Sequence, residues 1–204
     1  MKRIAVPSKM AAMWLCKGGR SAVKMADRLC IVLMLLLTLS CAVAQTHGVL
    51  LNTVAAVYFS PKGGCTDAIV AEISKAESEI LVQAYSFTSK EIAKALADAH
   101  TRGVSIQIIL DRSQKTARLS AAAFTSRNGI PTFIDRKHAI AHNKVMIIDN
   151  VMVITGSFNF TKAAEESNAE NLLIVRSSAL AHVYIANWNI HRRHSEPYRT
   201  IFVR

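Results

Sequence analysis

The sequence predicts an α/β fold: one domain built on a mixed β-sheet flanked by helices on both faces. Three observations predict it. Between residues 54 and 110, short β-rich runs alternate with stretches whose apolar residues recur at the 3.6-residue period. Strand, helix, strand, helix, strand implies a parallel sheet covered by helices. Between residues 144 and 155, two apolar runs are separated only by Asp149-Asn150, which reads as a tight antiparallel hairpin. Finally, 204 residues hold one ordinary domain plus a targeting segment, and two domains would be a squeeze.

The targeting segment is set aside first. Leu29-Cys30-Ile31-Val32-Leu33-Met34-Leu35-Leu36-Leu37-Thr38-Leu39 is preceded by basic residues and followed by the small, mildly polar Ser40-Cys41-Ala42-Val43-Ala44. The run is shorter than the roughly 20 residues a spanning helix needs, and Ala42-Val43-Ala44 is an A-x-A cleavage site before Gln45. Residues 1–44 are therefore read as a signal peptide, with an uncleaved signal anchor as the alternative, and residues 45–204 as the exported domain. The basic stretch from Met1 to Lys24 exceeds an ordinary n-region, so Met25 is a candidate true start. Without residues 1–44, which carry seven Lys/Arg and one Asp, the net charge falls from +11 to +5. A moderately basic surface favours a polyanion, nucleic acid or anionic membrane, without choosing between them.

In the remaining chain, Val54 to Phe59 is expected as a strand and Ser60-Pro61-Lys62-Gly63-Gly64 as the loop that ends it. A helix with Ile69, Ile73 and Ala76 on one face follows, capped by Thr66 or Asp67. Next come a strand at Glu79 to Phe87, a helix at Ser89 to Arg102 with Ile92, Ala95, Leu96 and Ala99 inward, and a strand at Val104 to Leu110. A helix around Ala117 to Arg127 leads to a short strand near Ile130 to Ile134. The hairpin strands Lys144 to Ile148 and Val151 to Thr155, a strand at Asn171 to Val175 and a closing helix at Ser178 to His194 complete the reading. Three of the four cysteines lie in the leader, so Cys65 has no intrachain partner and is either a half-buried thiol or an intermolecular bridge.

The hairpin carries the chemistry. Side chains alternate along a strand, so His142 and Lys144 project from one face at its open end, and Ser157 and Asn159 share the same i, i+2 relation. If the second strand pairs back on the first, all four polar side chains converge there. A lysine ammonium and the neutral donors of Ser157 and Asn159 suit the oxygens of a phosphodiester. Histidine is a natural nucleophile or proton carrier near neutral pH, and Glu170, at the start of the next strand, could hold its second nitrogen.

The pattern H-x-K-x4-D-x6-G-S-x-N, complete from His142 to Asn159, resembles the signature of the phospholipase D superfamily, and Glu170 matches its usual acidic partner. The resemblance is densest between His142 and Asn171; the first half is matched mainly by the order of its elements. It implies a phospholipase D/nuclease-like sandwich and a metal-independent phosphodiester hydrolase with no cofactor. One histidine attacks phosphorus to form a phosphohistidine, a second protonates the leaving oxygen, and water releases the product. Larger members carry the motif twice, whereas this chain has one H-x-K, so the resemblance implies a homodimer with the two copies of His142 facing each other across the two-fold axis, as in the Nuc-type enzymes. The expected substrate is DNA or RNA cut with low sequence preference outside the cytoplasm; a phospholipid diester is the alternative.

His142, Lys144, Asp149 and Glu170 are thus the catalytic candidates, and Lys144, Ser157 and Asn159 the phosphate-binding ones. Asp149 belongs to the motif, but its parity sets it on the face opposite His142, at a turn where Asp makes local hydrogen bonds. His47, His100, His138, His182, His191 and His194 read as surface residues, with His138 a possible phosphate grip in a basic loop. No Cys/His cluster has zinc spacing, so no metal is expected. The loops at Thr88-Ser89-Lys90 and Asp111-Arg112-Ser113, at the carboxyl ends of strands, are candidates to line the cleft.

Overall fold

The computed structural model describes residues 55–199; the leader, its cleavage point and the start at Met25 lie outside the described residues. The strands are β1 (Ala55–Ser60), β2 (Glu79–Ala84), β3 (Ser105–Asp111), β4 (Thr132–Asp135), β5 (Lys144–Ile148), β6 (Met152–Gly156), β7 (Glu170–Arg176) and β8 (Glu196–Pro197). The helices are α1 (Cys65–Ser74), α2 (Lys90–Thr101), α3 (Ala122–Arg127), α4 (Lys162–Glu166) and α5 (Ser178–His194). They build one eight-stranded sheet of order β1-β7-β6-β5-β2-β3-β4-β8. β2, β3 and β4 are parallel neighbours, and every other pairing is antiparallel.

This is the mixed α/β sheet that the sequence predicts, with one correction. β1 runs in the direction of β2 yet is not its neighbour; three strands separate them, and β1 closes the sheet's far edge against β7. Burial explains the preference: β2 is buried along nearly its whole length and takes the parallel β3 on one side and β5 on the other. β1 alternates exposed and half-buried residues, as an edge strand should.

The two faces of the sheet carry separate cores. On one, Ile69 and Ile73 of α1, Ile92 and Leu96 of α2 and Ala122 of α3 pack on Ile80, Val82, Ile106, Ile108, Met146 and Ile154. On the other, Ala181 and Trp188 of α5 cover Leu81, Ile109, Phe133, Val145, Ile147 and Val153. The inward residues of β2 and β5 divide alternately between the two cores, as the period of two requires. Each fully buried isoleucine contributes roughly 1.5–3 kcal/mol relative to exposure. Trp188 Nε1 donates to the Val82 carbonyl at 3.0 Å, so the indole fixes α5 on the sheet with its one polar atom satisfied.

Three local expectations change. Neither Thr66 nor Asp67 caps α1: Gly64 is the N-cap, with φ 78°, and makes no side-chain bond. The cap comes from α4 instead, where the Glu165 carboxylate accepts the Gly64 N–H at 3.0 Å and the Thr66 N–H at 2.7 Å. A carboxylate at that position also opposes the positive end of the helix dipole. In the hairpin, Asp149 (φ 53°) and Asn150 (φ 58°) form the expected tight turn, closed by Val151 N–H to Ile148 C=O at 3.1 Å. Pairing resumes at Ile148 with Met152, leaving Val151 outside β6 as a one-residue bulge. Cys65 is fully buried at the start of α1, not half-buried, which corrects the intermolecular-bridge reading. Burial, aided by the charge of Glu165, pushes its thiol up to about 11, so it is inert at neutral pH.

Candidate active site

The antiparallel pairing of β5 with β6, and of β6 with β7, brings the open end of the hairpin to one edge of the α1 face. Val145 lies opposite Thr155, and Gly156 opposite Leu172. A cleft of about 310 Å³ forms there, lined by His142, Lys144, Gly156, Ser157, Asn159 and Glu170. Every predicted site residue except Asp149 lines it.

Each side chain has an identifiable positioner. Gly156 sits at φ 149°, and a Cβ added to it would lie 2.2 Å from the Asn171 carbonyl oxygen, so only glycine lets β6 approach β7 this closely. Beyond it, Ser157 N–H donates to both the side-chain and main-chain oxygens of Asn171, each at 3.1 Å. Ser157 Oγ accepts the Asn171 N–H at 3.0 Å. Phe158 and Phe160 are fully buried in the α1-face core, with Phe160 edge-on to Phe87 at 6.0 Å. This alternation leaves Ser157 and Asn159 for the cleft. Asn159 Oδ1 is buried without a hydrogen-bond partner in the structure, a polar atom whose neglect costs about 1–3 kcal/mol unless something donates to it.

Lys144 is only 7% exposed, though it begins a strand beside an open cleft. Its Nζ donates to the His142 carbonyl at 3.0 Å and lies 5.0 Å from the centre of the Tyr85 ring. Burial lowers its pKa, and the nearby carboxylate of Glu170 works in the opposite direction. The residue is thus a partly desolvated cation with a cation–π contact. His142 is exposed and packs on the same Tyr85 ring at 4.5 Å between centroids. The chain leading to His142 is held by Asp111, whose Oδ2 accepts the Ala141 N–H at 2.7 Å. Glu170 accepts from Asn168 Nδ2 at 3.2 Å, at the mouth of the cleft.

Tyr85 went unnoticed in the sequence. Its signal was an aromatic at the carboxyl end of a strand, where it now supports both His142 and Lys144. The loops expected to line the cleft are occupied otherwise: Ser89 is buried and caps α2 through Ile92 N–H, and Asp111 accepts the Ser113 and Ala141 N–H groups. Asp149 lies at the opposite end of the hairpin, so its place among the catalytic candidates is corrected. Its carboxylate accepts the N–H groups of Glu77, Ser78 and Glu79 at 2.8–3.0 Å and the Ser78 hydroxyl at 2.8 Å. Burial raises its pKa, but these four bonds outweigh burial and hold the carboxyl below its ordinary value.

The surface reading of three histidines is also corrected. His138, His191 and His194 converge on Asp135, which is fully buried at the end of β4. The four residues are the described cluster whose donor atoms all lie within 4.8 Å of one another. They were hidden because more than fifty residues separate Asp135-x2-His138 from His191-x2-His194.

Chemically, the cleft offers an exposed imidazole, a desolvated ammonium, hydroxyl and amide groups and one carboxylate within a single concavity. Comparison with known proteins agrees with this inventory. A family model described as cardiolipin synthase, PLD-like domain, matches residues 69–190. A phospholipase D from Rickettsia conorii is 47% identical over 130 residues, 64% of this chain and 65% of the relative, so the chain spans just under two thirds of that relative's length. A mitochondrial cardiolipin hydrolase from Xenopus laevis is 28% identical over 116 residues, 57% of this chain and 55% of the relative. Among solved structures, Nuc, a phospholipase D family member from Salmonella typhimurium, superposes with a TM-score of 0.70 at 39% identity, covering 72% of this chain and 99% of that one. With the sheet order, the cleft and the motif in place, the chain belongs to the phospholipase D superfamily.

Proposed function

We propose that the chain is an exported phosphodiesterase, an endonuclease of low sequence preference, whose chemical step runs on His142 without a metal. The observation that carries this reading is the single cleft in which His142, Lys144, Ser157, Asn159 and Glu170 meet. An imidazole nitrogen of His142 attacks phosphorus, and the P–O bond to the leaving nucleoside breaks as the P–N bond forms. The leaving oxygen takes its proton from a second histidine. That histidine, now neutral, accepts a proton from water as the water oxygen attacks the phosphohistidine, and His142 departs with the product phosphate released. Lys144 and the donors of Ser157 and Asn159 hold the non-bridging oxygens as charge builds on them. Glu170 is placed to balance the charge of the site.

With one H-x-K per chain, the second histidine is the copy of His142 from a second chain in a homodimer. Val57 and Phe59, 52% and 66% exposed on β1, support this. Phe59 pairs with Asn171, so an apolar edge lies beside the residues that set Ser157 and leads to Glu170. Phe59→Glu is expected to shift the protein to monomer in sedimentation and to lower activity with it; an unchanged dimer would place the contact elsewhere. Export rests on the leader read at residues 1–44. The second reading, hydrolysis of a phospholipid diester, is supported by the names of the Rickettsia and Xenopus relatives.

The test is cleavage of plasmid DNA, RNA, a chromogenic diester and cardiolipin vesicles in excess EDTA, with His142→Asn in parallel. Turnover that survives chelation and vanishes in the variant supports the histidine reaction, and the relative rates rank nucleic acid against lipid. A folded dimer that turns over no diester would sink the enzymatic reading.

A further inference from the structure

The cluster around Asp135 shares no residue with the cleft, and its geometry exceeds what hydrogen bonding alone explains. His138 Nδ1 and His191 Nδ1 each lie 2.9 Å from Asp135 Oδ2, and His194 Nε2 lies 3.2 Å from the same atom. Three ring nitrogens thus address one oxygen, more than its two lone pairs accept with good geometry. The other oxygen, Oδ1, is engaged separately by the N–H groups of Lys137 at 3.0 Å and His138 at 3.4 Å. The carboxylate is therefore oriented by the main chain, the arrangement in which a second shell aims a metal ligand.

We infer that Asp135, His138, His191 and His194 hold one zinc ion in a closed, four-coordinate site of three nitrogens and one oxygen. Zinc–ligand bonds of about 2.0–2.1 Å set a tetrahedral edge of about 3.3 Å. The three nitrogen-to-oxygen separations fall under that edge, and the four donor atoms lie within 4.8 Å of one another, so the rings close the tetrahedron by drawing their nitrogens together around the ion. Imidazole with a single carboxylate suits zinc; calcium and magnesium take shells made of oxygens. All four positions are filled by the protein, which marks a structural rather than a catalytic ion.

The ligands come from two places far apart in the chain. Asp135 and His138 lie at and just after the end of β4, and His191 and His194 form the last turn of α5. Nearby contacts already favour the same clasp: Arg192 stacks 3.3 Å from the Phe133 ring centre, and Arg136 pairs with Glu196 at 3.3 Å. His138 precedes His142 by four residues, so an ion here fixes the segment that delivers His142 to the cleft, without taking part in the reaction.

The full chain, expressed and purified without chelator, is measured for metal content, then stripped and titrated with zinc chloride while its melting is followed. The expected result is about one zinc per chain and a rise in Tm of about 5 °C or more on restoring it. Cobalt(II) in place of zinc is expected to show the intense visible bands of a tetrahedral ion. Both responses are expected to disappear in the double variant His191→Ala/His194→Ala and in His138→Ala, a change at a side chain that is 42% exposed and therefore expected to leave the fold intact. If the double variant does not fold, His138→Ala decides. Protein that carries no metal and gains no stability from zinc, or that binds zinc equally well as His138→Ala, overturns the site and leaves a hydrogen-bonded clasp. These readouts need no turnover, so they stand apart from the fate of the proposed reaction.

Discussion

The two ends of the β5–β6 hairpin are built from one continuous motif and serve opposite purposes. At the turn end, Asp149 accepts four hydrogen bonds from residues 77–79, and its polar groups are spent on the fold. At the open end, Lys144 is buried with one main-chain carbonyl for a partner, and Asn159 Oδ1 has none. Satisfied polar groups stabilise, whereas groups left desolvated and under-partnered are costly unless a ligand completes them. The contrast teaches that membership of a motif does not assign a role: the partners of each residue do.

The comparison can be broken hardest at Lys144. Lys144→Met is expected to lower kcat on the order of 10²- to 10³-fold by removing a charge aimed at the phosphate. Its melting temperature should hold or rise, because a buried ammonium disappears; a drop of several degrees would show that the open end also carries the fold. Gly156→Ala should damage both ends together, since its Cβ has nowhere to go beside Asn171: about 2–4 kcal/mol in a urea titration, with reduced turnover. Asp149→Ala is the reciprocal of the lysine variant. It should cost about 2 kcal/mol and leave kcat per folded molecule unchanged, and a selective loss of kcat would return Asp149 to the chemistry.

A finer test uses pH. The Asp149 carboxyl is held below its ordinary value of 3.8, so its contribution is complete above that value and is lost as pH falls below it. The stability gap between the wild type and Asp149→Asn should therefore be constant at neutral pH and narrow below about pH 4 in acid titrations; a gap that instead narrows near pH 7 would point to a different group. The smallest effect is expected at Lys94, whose pair with Asp98 lies in solvent at both partners: Lys94→Ala should change stability by no more than about 0.5 kcal/mol.

Most of the sheet was legible because its signals are local. Short β-rich and apolar runs marked the strands, 3.6-residue periods marked α1 and α2, and Asp149-Asn150 marked the hairpin whose pairing then assembles the cleft. What the sequence hid depends on partners far away in the chain. The cap of α1 comes from Glu165, about a hundred residues later, so local capping rules pointed to Thr66 or Asp67 instead. The order strand, helix, strand, helix, strand implied a parallel sheet that includes β1, but the alternating exposure of β1 suits the edge. The Asp135 cluster needed β4 and the end of α5 side by side; its available hint was two x2 spacings, with His191 and His194 on one helical face.

Trp188 gives the molecule a further property. The sequence has two tryptophans, and the other, Trp14, falls in the segment read as leader, so residues 45–204 contain a single indole. Its ring is buried under α5, and its N–H is bound to the Val82 carbonyl. The emission of residues 45–204 is accordingly a one-site gauge: a red shift records water reaching the seam between α5 and the sheet. Because His191 follows less than one turn later, that colour change also times the release of the helix's last turn.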